Sequence, residues 1–495
     1  MTHPKIVIVG LGPGSNKHLT LAAARKLKAA KKLFLRTAKY PIIDQIKGLG
    51  IDEFESFDYL YEGKPTFEGI YECIADKLLE EAGKHGSIVY AVPGNPLVAE
   101  TSVELLTEKS RDLGVEIEIL PGMSFLDPVF TLLGLNPNKG LLILDALELD
   151  KKKIDTNNHC LIVQIYDRFI ASNVKLLLLD YYPHDFKVTL IRGAGIDDVE
   201  DIHSIPLVEL DRNDLIDHLT CLYVPPVLLK DKVRFNLNDL EEIMDILRGE
   251  NGCPWDLEQT RQSLKPFLLE ETYEVLEMLD IENVDGLCDE LGDLLLQIVF
   301  HARIGKENDE FDLSDVITAI SNKMLRRHTH IFGDAKADTP DEVLKNWEKI
   351  KMDEKGLNKY TETLKSVPSI LPALMRSYKV QEKAASVGFD WERVEDAAKK
   401  VFEELDELKD VYKSEDRDKI MEELGDVLFA VVNVARFLNV DLEEALRRSI
   451  EKFINRFTYI EESAIKANKD LTELSLEEMD NLWNEIKKIA YKEKK

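Results

Sequence analysis

A chain of 495 residues is too long for one ordinary core, and with 44% apolar residues roughly two to four packed domains are expected. Its 93 Asp and Glu outnumber 64 Lys and Arg, for a net charge of −29. That excludes a general binder of duplex nucleic acid or of anionic membranes, which need a basic surface. It leaves nucleotides open, because phosphates can be held through a bound cation.

The opening Met1-Thr2-His3-Pro4-Lys5 leads directly into Ile6-Val7-Ile8-Val9, a run too short for a signal peptide. No apolar run nears the ~20 residues that span a bilayer. The five cysteines (Cys73, Cys160, Cys221, Cys253 and Cys288) are odd in number and lack zinc-knuckle or redox-pair spacing. They fit a reducing compartment, so a cytoplasmic protein is expected.

Ile6 to Val9 reads as a buried strand ended by Gly10-Leu11-Gly12-Pro13-Gly14, with a helix from about Leu19. The spacing is not the dinucleotide fingerprint, since Pro13 intrudes and no Gly stands three residues after Gly12. Ser87 to Val92 is a second strand, ended by Pro93-Gly94-Asn95-Pro96; Ile117 to Leu120 is a third, ended by Pro121-Gly122-Met123-Ser124. In a parallel α/β sheet, such loops after the strand ends line the ligand crevice. Leu176 to Leu179 is a further buried strand or helix, and His184-Asp185 lacks the partners of a metal dyad.

The three loops, together with Leu222-Tyr223-Val224-Pro225-Pro226, resemble the tetrapyrrole (corrin/porphyrin) methylase family over residues 1–226. The resemblance implies two α/β subdomains with S-adenosylmethionine between them. It implies a cofactor site at Gly12, Pro13, Gly94, Asn95 and Pro96. The family usually has Asp where this chain has Asn95.

Beyond Pro226 the texture turns helical, and a boundary falls near residues 227–233. Asn238-Asp239-Leu240 can cap a helix through Leu247. Helices are expected from Leu264 to Met278 and Leu287 to Ile304, then again from Val394 to Val411 and Lys419 to Leu438. The second pair repeats the first. Glu403-Glu404-Leu405-Asp406-Glu407 and Glu423-Leu424-Gly425-Asp426 each stand 133 residues after Glu270-Glu271-Thr272-Tyr273-Glu274 and Glu290-Leu291-Gly292-Asp293. Lys323 to Arg327 matches Lys452 to Arg456, and Asn346-Trp347 matches Leu482-Trp483. Two copies of one all-α domain follow, residues 230–355 and 363–495, joined near Lys355–Thr363.

Residues three or four apart share a helix face. Glu404 with Glu407, and Glu423 with Asp426, therefore converge if the second helix returns along the first; Glu271, Glu274, Glu290 and Asp293 do the same in the first copy. A Glu-x-x-Glu pair alone usually marks a solvated face. Here the second pair precedes apolar runs, Leu294-Leu295-Leu296 and Val427-Leu428-Phe429, where carboxylates are costly unless paired or metal-bound. Gly292 and Gly425, at ~1 kcal/mol each against Ala in a helix, suggest close approach of a helix or ligand. Mg²⁺ suits such oxygen donors.

The acidic block resembles the MazG-type nucleoside triphosphate pyrophosphohydrolases, and the whole domain order resembles the YabN-type fusion family. The expected fold is thus an N-terminal α/β tetrapyrrole methylase-like domain followed by two all-α MazG domains. The resemblance implies Mg²⁺-dependent hydrolysis of a nucleoside triphosphate to monophosphate and pyrophosphate, by a homodimer. In the second copy, Glu404, Glu407, Glu423 and Asp426 would hold the metal and Glu403 accept a proton. Lys452 and Arg456 would contact phosphates, and Trp483 would cover the base. Asn433 stands where the first copy has Phe300, and a polar group there favours the second copy as the catalyst. The alternatives are a methyltransferase regulated by its MazG half and a nucleotide-responsive binding protein.

Overall fold

The computed structural model describes residues 3–61, 67–354 and 359–493. Met1 and Thr2, and residues 355–358 of the expected join, lie outside the described residues. The chain forms two compact units, Met1–Leu313 and Ser314–Lys495.

The first unit opens with a parallel sheet of β1 (Lys5–Gly10), β2 (Leu33–Leu35), β3 (Glu55–Ser56), β4 (Ser87–Val92) and β5 (Glu116–Leu120), in the order β3-β2-β4-β1-β5. Ile6 lies opposite Ile88 on one side and Ile117 on the other. Both faces of β1 are covered: Ile6 and Ile8 join one apolar cluster, Val7 and Val9 another. Double-sided burial explains why β1 and β4 read as continuous apolar runs, whereas β5 at the sheet edge alternates Glu116, Ile117, Glu118 and Ile119. The three strands expected from the sequence are the adjacent β4, β1 and β5, so their loops emerge side by side.

A second, mixed sheet holds β6 (Leu141–Asp145), β7 (His159–Val163), β8 (Lys187–Arg192), β9 (Asp201–Pro206) and β10 (Thr220–Val224), in the order β6-β7-β10-β8-β9. Leu176 to Leu179 ends a helix, Arg168–Leu178, started by the Asp167 side chain on the Ile170 N–H. The two sheets are the two subdomains that the methylase resemblance implied. His184 and Asp185 are exposed on a turn.

Helix α1 (Leu237–Leu247) closes onto this α/β body. Its cap is Asn236, two residues before the expected one, in a capping box with Asp239. Asp239 also pairs with Lys232, both side chains 0% exposed, and Asn157 hydrogen-bonds each of them. Helices α2 (Lys265–Asp280) and α3 (Val284–Glu307) then pack as a pair. Helix α3 starts three residues earlier than its apolar pattern suggests, because the Asn283 side chain accepts from the Gly286 N–H.

The second unit is all helical: α4 (Leu313–Arg327) leads into it, and α5 (Pro340–Glu354), α6 (Ala373–Ala385), α7 (Val394–Val411), α8 (Arg417–Phe437), α9 (Leu442–Lys466) and α10 (Leu476–Glu493) follow. Helices α7 and α8 pack together as α2 and α3 do, with α6 against α8 and α9 against α10. No described helix is long and apolar enough to cross a membrane.

Candidate functional site

Helices α7 and α8 bring Glu404, Glu423 and Asp426 together, with one carboxylate oxygen from each within 4.8 Å of the others. Glu404 is only 7% exposed. Burial, then the charges of Glu407 and Asp426, push the Glu423 carboxyl above its usual range. Glu407 therefore acts on the group electrostatically although it lies outside the tight trio. Glu403 is exposed and accepts from Lys400 Nζ at 2.7 Å; the same ammonium sits 2.8 Å from Glu404 Oε1.

In the first copy the trio is Glu271, Glu274 and Glu290, within the same 4.8 Å. Asp293 stands outside it, but burial and then Asp293 and Glu274 push Glu271 up, and burial and then Glu274 and Asp293 push Glu290 up. The third close member thus differs between copies: Glu274 here, Asp426 there. Among the described residues these are the two places where three or more His, Cys, Asp or Glu converge closely enough for a metal. All the donors are carboxylate oxygens, and neighbouring carboxylates help to raise Glu271, Glu290 and Glu423, so the sets suit a hard divalent cation.

Among the described residues a Cβ built on Gly292 or Gly425 would meet nothing within 4 Å, so no described helix makes the expected close approach.

Arg456 lies over the Trp483 ring at 5.2 Å, Phe453 packs on it at 5.3 Å, and Lys487 stands 5.9 Å away. Trp483 is thereby taken up in the packing of α9 on α10. Lys452 is exposed. The side-chain oxygen of Asn433 accepts from Arg436 at 2.9 Å, and Arg436 is ion-paired to Asp390. At the matching place Phe300 is buried under the Arg248 guanidinium.

The sequence reasoning passed over Lys400. The signal was available: 133 residues earlier stands Phe267. The cation that bridges Glu403 and Glu404 in the second copy is replaced by an aromatic ring in the first.

In the α/β domain the loops after β1 and β4 are bonded to each other, Gly94 N to Gly12 O at 2.9 Å and Gly12 N to Gly94 O at 3.2 Å. Gly10 and Gly122 touch backbone so closely that a Cβ on either would come within 2.6 Å of its neighbours. Asn95 ties the loops further, its amide donating to Gly122 O at 3.0 Å. Gly12, Pro13 and Pro96 are buried in this junction, while beside Gly94, at φ +64°, there is open space. Space lined by backbone amides at the carboxyl ends of parallel strands can admit a cofactor.

Comparison with known proteins agrees with both halves. Residues 5–211 match the family model of Tetrapyrrole (Corrin/Porphyrin) Methylases, and residues 259–332 and 393–460 match the MazG nucleotide pyrophosphohydrolase domain. The chain is 44% identical to the protein YabN of Bacillus subtilis over 98% of each. It is 42% identical to the nucleoside triphosphate pyrophosphohydrolase of Escherichia coli over 51% of this chain and 98% of that one. With a nucleoside triphosphate pyrophosphohydrolase/pyrophosphatase MazG of Thermotoga maritima it shares 45% identity over 50% of this chain and 94% of that one. Among solved structures, the uroporphyrin-III-C-methyltransferase of Thermus thermophilus covers 45% of this chain and 94% of its own at 19% identity and a TM-score of 0.36. The protein is thus of a class that joins an α/β methylase domain to helical MazG domains. It belongs to the YabN family.

Proposed function

We propose that the chain is a Mg²⁺-dependent nucleoside triphosphate pyrophosphohydrolase whose working centre is the second MazG copy. The observation that carries this reading is the Glu404, Glu423 and Asp426 trio with Lys400 against it. The MazG match and the names of the E. coli and T. maritima relatives support it.

In this reading Glu404, Glu407, Glu423 and Asp426 hold the metal, which when bound would neutralise the triphosphate and activate the attack of water at the α-phosphorus. Lys452 and Arg456 contact phosphate oxygens. Glu403, exposed beside the buried Glu404, accepts the proton of the attacking water. The new bond joins that water's oxygen to the α-phosphorus, and the bond from the α-phosphorus to the bridging oxygen breaks. The products are the monophosphate and pyrophosphate. Glu271, Glu274, Glu290 and Asp293 form a weaker or structural metal site.

The domains are taken as residues 1–226, 230–355 and 363–495, in a cytoplasmic homodimer. Exposed apolar side chains support the dimer. Phe402, Leu424 and Leu428 lie open on α7 and α8, and their counterparts Leu269, Leu291 and Leu295 lie open on α2 and α3. A solvated surface has no reason to keep three large apolar residues at matching places in two copies.

The deciding experiment incubates the full chain with Mg²⁺ and a panel of nucleoside triphosphates. Pyrophosphate with the monophosphate is expected; orthophosphate alone would sink the mechanism. A second reading, methyl transfer from S-adenosylmethionine, is favoured by the open space beside Gly94. Calorimetry should then show saturable cofactor binding that a bulky residue at Gly94 weakens.

A further inference from the structure

The two helical copies treat one matched arginine differently. Arg327 ends α4, and Arg456 stands at the same place in α9, where Lys452 to Arg456 matches Lys323 to Arg327. Each guanidinium lies over the matched tryptophan, Arg327 over Trp347 at 5.5 Å and Arg456 over Trp483 at 5.2 Å. A second ring backs each tryptophan, His328 at 5.1 Å in the first copy and Phe453 at 5.3 Å in the second. A guanidinium set against a ring still presents its N–H edge, which takes an oxyanion in two parallel bonds.

In the first copy that edge is already filled. Glu354, the last residue of α5, accepts from Arg327 Nη2 at 2.6 Å and Nε at 3.2 Å through one oxygen, and from Arg326 Nε at 2.6 Å through the other. The Arg327 and Glu354 side chains are only 11% and 15% exposed, so salt screens the pair less than an open surface pair. The bonds from Arg327, with those from Arg326 adding to them, hold the Glu354 carboxyl down at about 2, so it stays charged near neutral pH. The second copy lacks this acid. Glu354 stands seven residues after Trp347, and seven residues after Trp483 the chain has Ala490. Among the described residues Arg456 has no carboxylate within ion-pair distance.

We propose that Glu354 is an internal plug, a carboxylate standing in for a phosphate on Arg326 and Arg327, and that the first copy holds a latent oxyanion site which the chain keeps shut. The plug rests on the reading that Arg456 contacts phosphate, because it assigns the same chemistry to Arg327. The first copy then refuses phosphate chains through an added acid and not through loss of the arginine. The ligand class of the opened site is a diphosphate or triphosphate end, whose adjacent charged oxygens suit two guanidinium groups that already converge on one acceptor.

Calorimetry of the full chain with Mg²⁺ and imidodiphosphate, a diphosphate whose bridging nitrogen resists hydrolysis, tests the plug. Glu354→Ala should bind a further equivalent per chain relative to the wild type, and adding Arg327→Met should remove it. If Glu354→Ala does not fold, Glu354→Gln, which keeps the bulk and loses the charge, should gain the same equivalent. In the otherwise wild-type chain Arg327→Met should leave imidodiphosphate binding unchanged, because the plug already holds the guanidinium. A folded Glu354 variant with no further equivalent, or a wild type whose binding falls on Arg327→Met, overturns the plug. A wild type that binds no imidodiphosphate, beside a Glu354→Ala chain that binds it through Arg327, would sink phosphate contact by Arg456 and leave the plug standing. Wild-type binding that is lost on Arg456→Met, with no gain on Glu354→Ala, would do the reverse.

Discussion

Lys400 Nζ lies 2.8 Å from Glu404 Oε1, on the buried carboxylate of the acidic trio, and the first copy has Phe267 at that place. A buried carboxylate is tolerated when a cation or metal answers its charge. Lys400 answers the charge of Glu404 in this way. Lys400→Met is expected to lower kcat/KM at least about tenfold, as loss of one charge-assisted contact does. It should also make the metal-free protein melt earlier, with added Mg²⁺ recovering most of the loss. An unchanged kcat/KM would reduce Lys400 to a surface ion pair.

The two acidic groups make opposite predictions for mutation. Glu404→Gln with Glu423→Gln removes two of the three converging carboxylate charges of the second trio and should abolish pyrophosphate release. Glu271→Gln with Glu290→Gln does the same to the first trio and should leave at least about half the activity if the second copy is the catalyst. Measured side by side with circular dichroism as a folding control, the reverse pattern would move catalysis to the first copy.

The raised carboxyls fix the sign of a pH effect. Glu271, Glu290 and Glu423 all titrate above the ordinary glutamate value of 4.5 in the folded chain. Between that value and their raised ones, the folded chain binds more protons than the unfolded chain, so stability falls as pH rises through this window. Mg²⁺ held at these carboxylates, as proposed, would relieve the same repulsion. These three carboxyls should therefore contribute less to stability as pH rises above 4.5, and the gain in melting temperature on adding Mg²⁺ should be larger at pH 7.5 than at pH 5. A Mg²⁺ increment that does not grow with pH would mean that the carboxylates are not the ligands.

How much of this was legible beforehand follows from what shapes each element. The strands β1 and β4 were readable because burial on both faces writes a continuous apolar run, and Gly and Pro mark where it stops, while the edge strand β5 was readable from Ile117, Ile119 and Leu120 ahead of Pro121-Gly122. The carboxylate pairs were readable because helical spacing and duplication are properties of the sequence. The start of α3 was missed because Asn283, not the apolar pattern, sets it. The link from Asn433 through Arg436 to Asp390 joins residues 43 apart across a turn and has no local signature. Trp483 was read by residue type alone, and only its packing against Arg456 and Phe453 shows what it touches.

The open glycines give a test in which stability and function separate. Gly425 sits mid-helix between Glu423 and Asp426, and a Cβ there meets nothing within 4 Å. Within one chain, Gly425→Ala should stabilise α8 by up to about 1 kcal/mol, because alanine loses less backbone freedom on folding. Selection for glycine against that gain implies that something outside the chain, substrate or partner subunit, approaches this face. The variant is therefore expected to melt no lower than the wild type while losing at least about tenfold in kcat/KM or dissociating on size-exclusion chromatography. Gly292→Ala should show the same stabilisation without the loss of turnover if the second copy is the catalyst, as proposed. If Gly425→Ala keeps full activity and full assembly, the glycine marks no contact, and the open face of α8 has no functional claim.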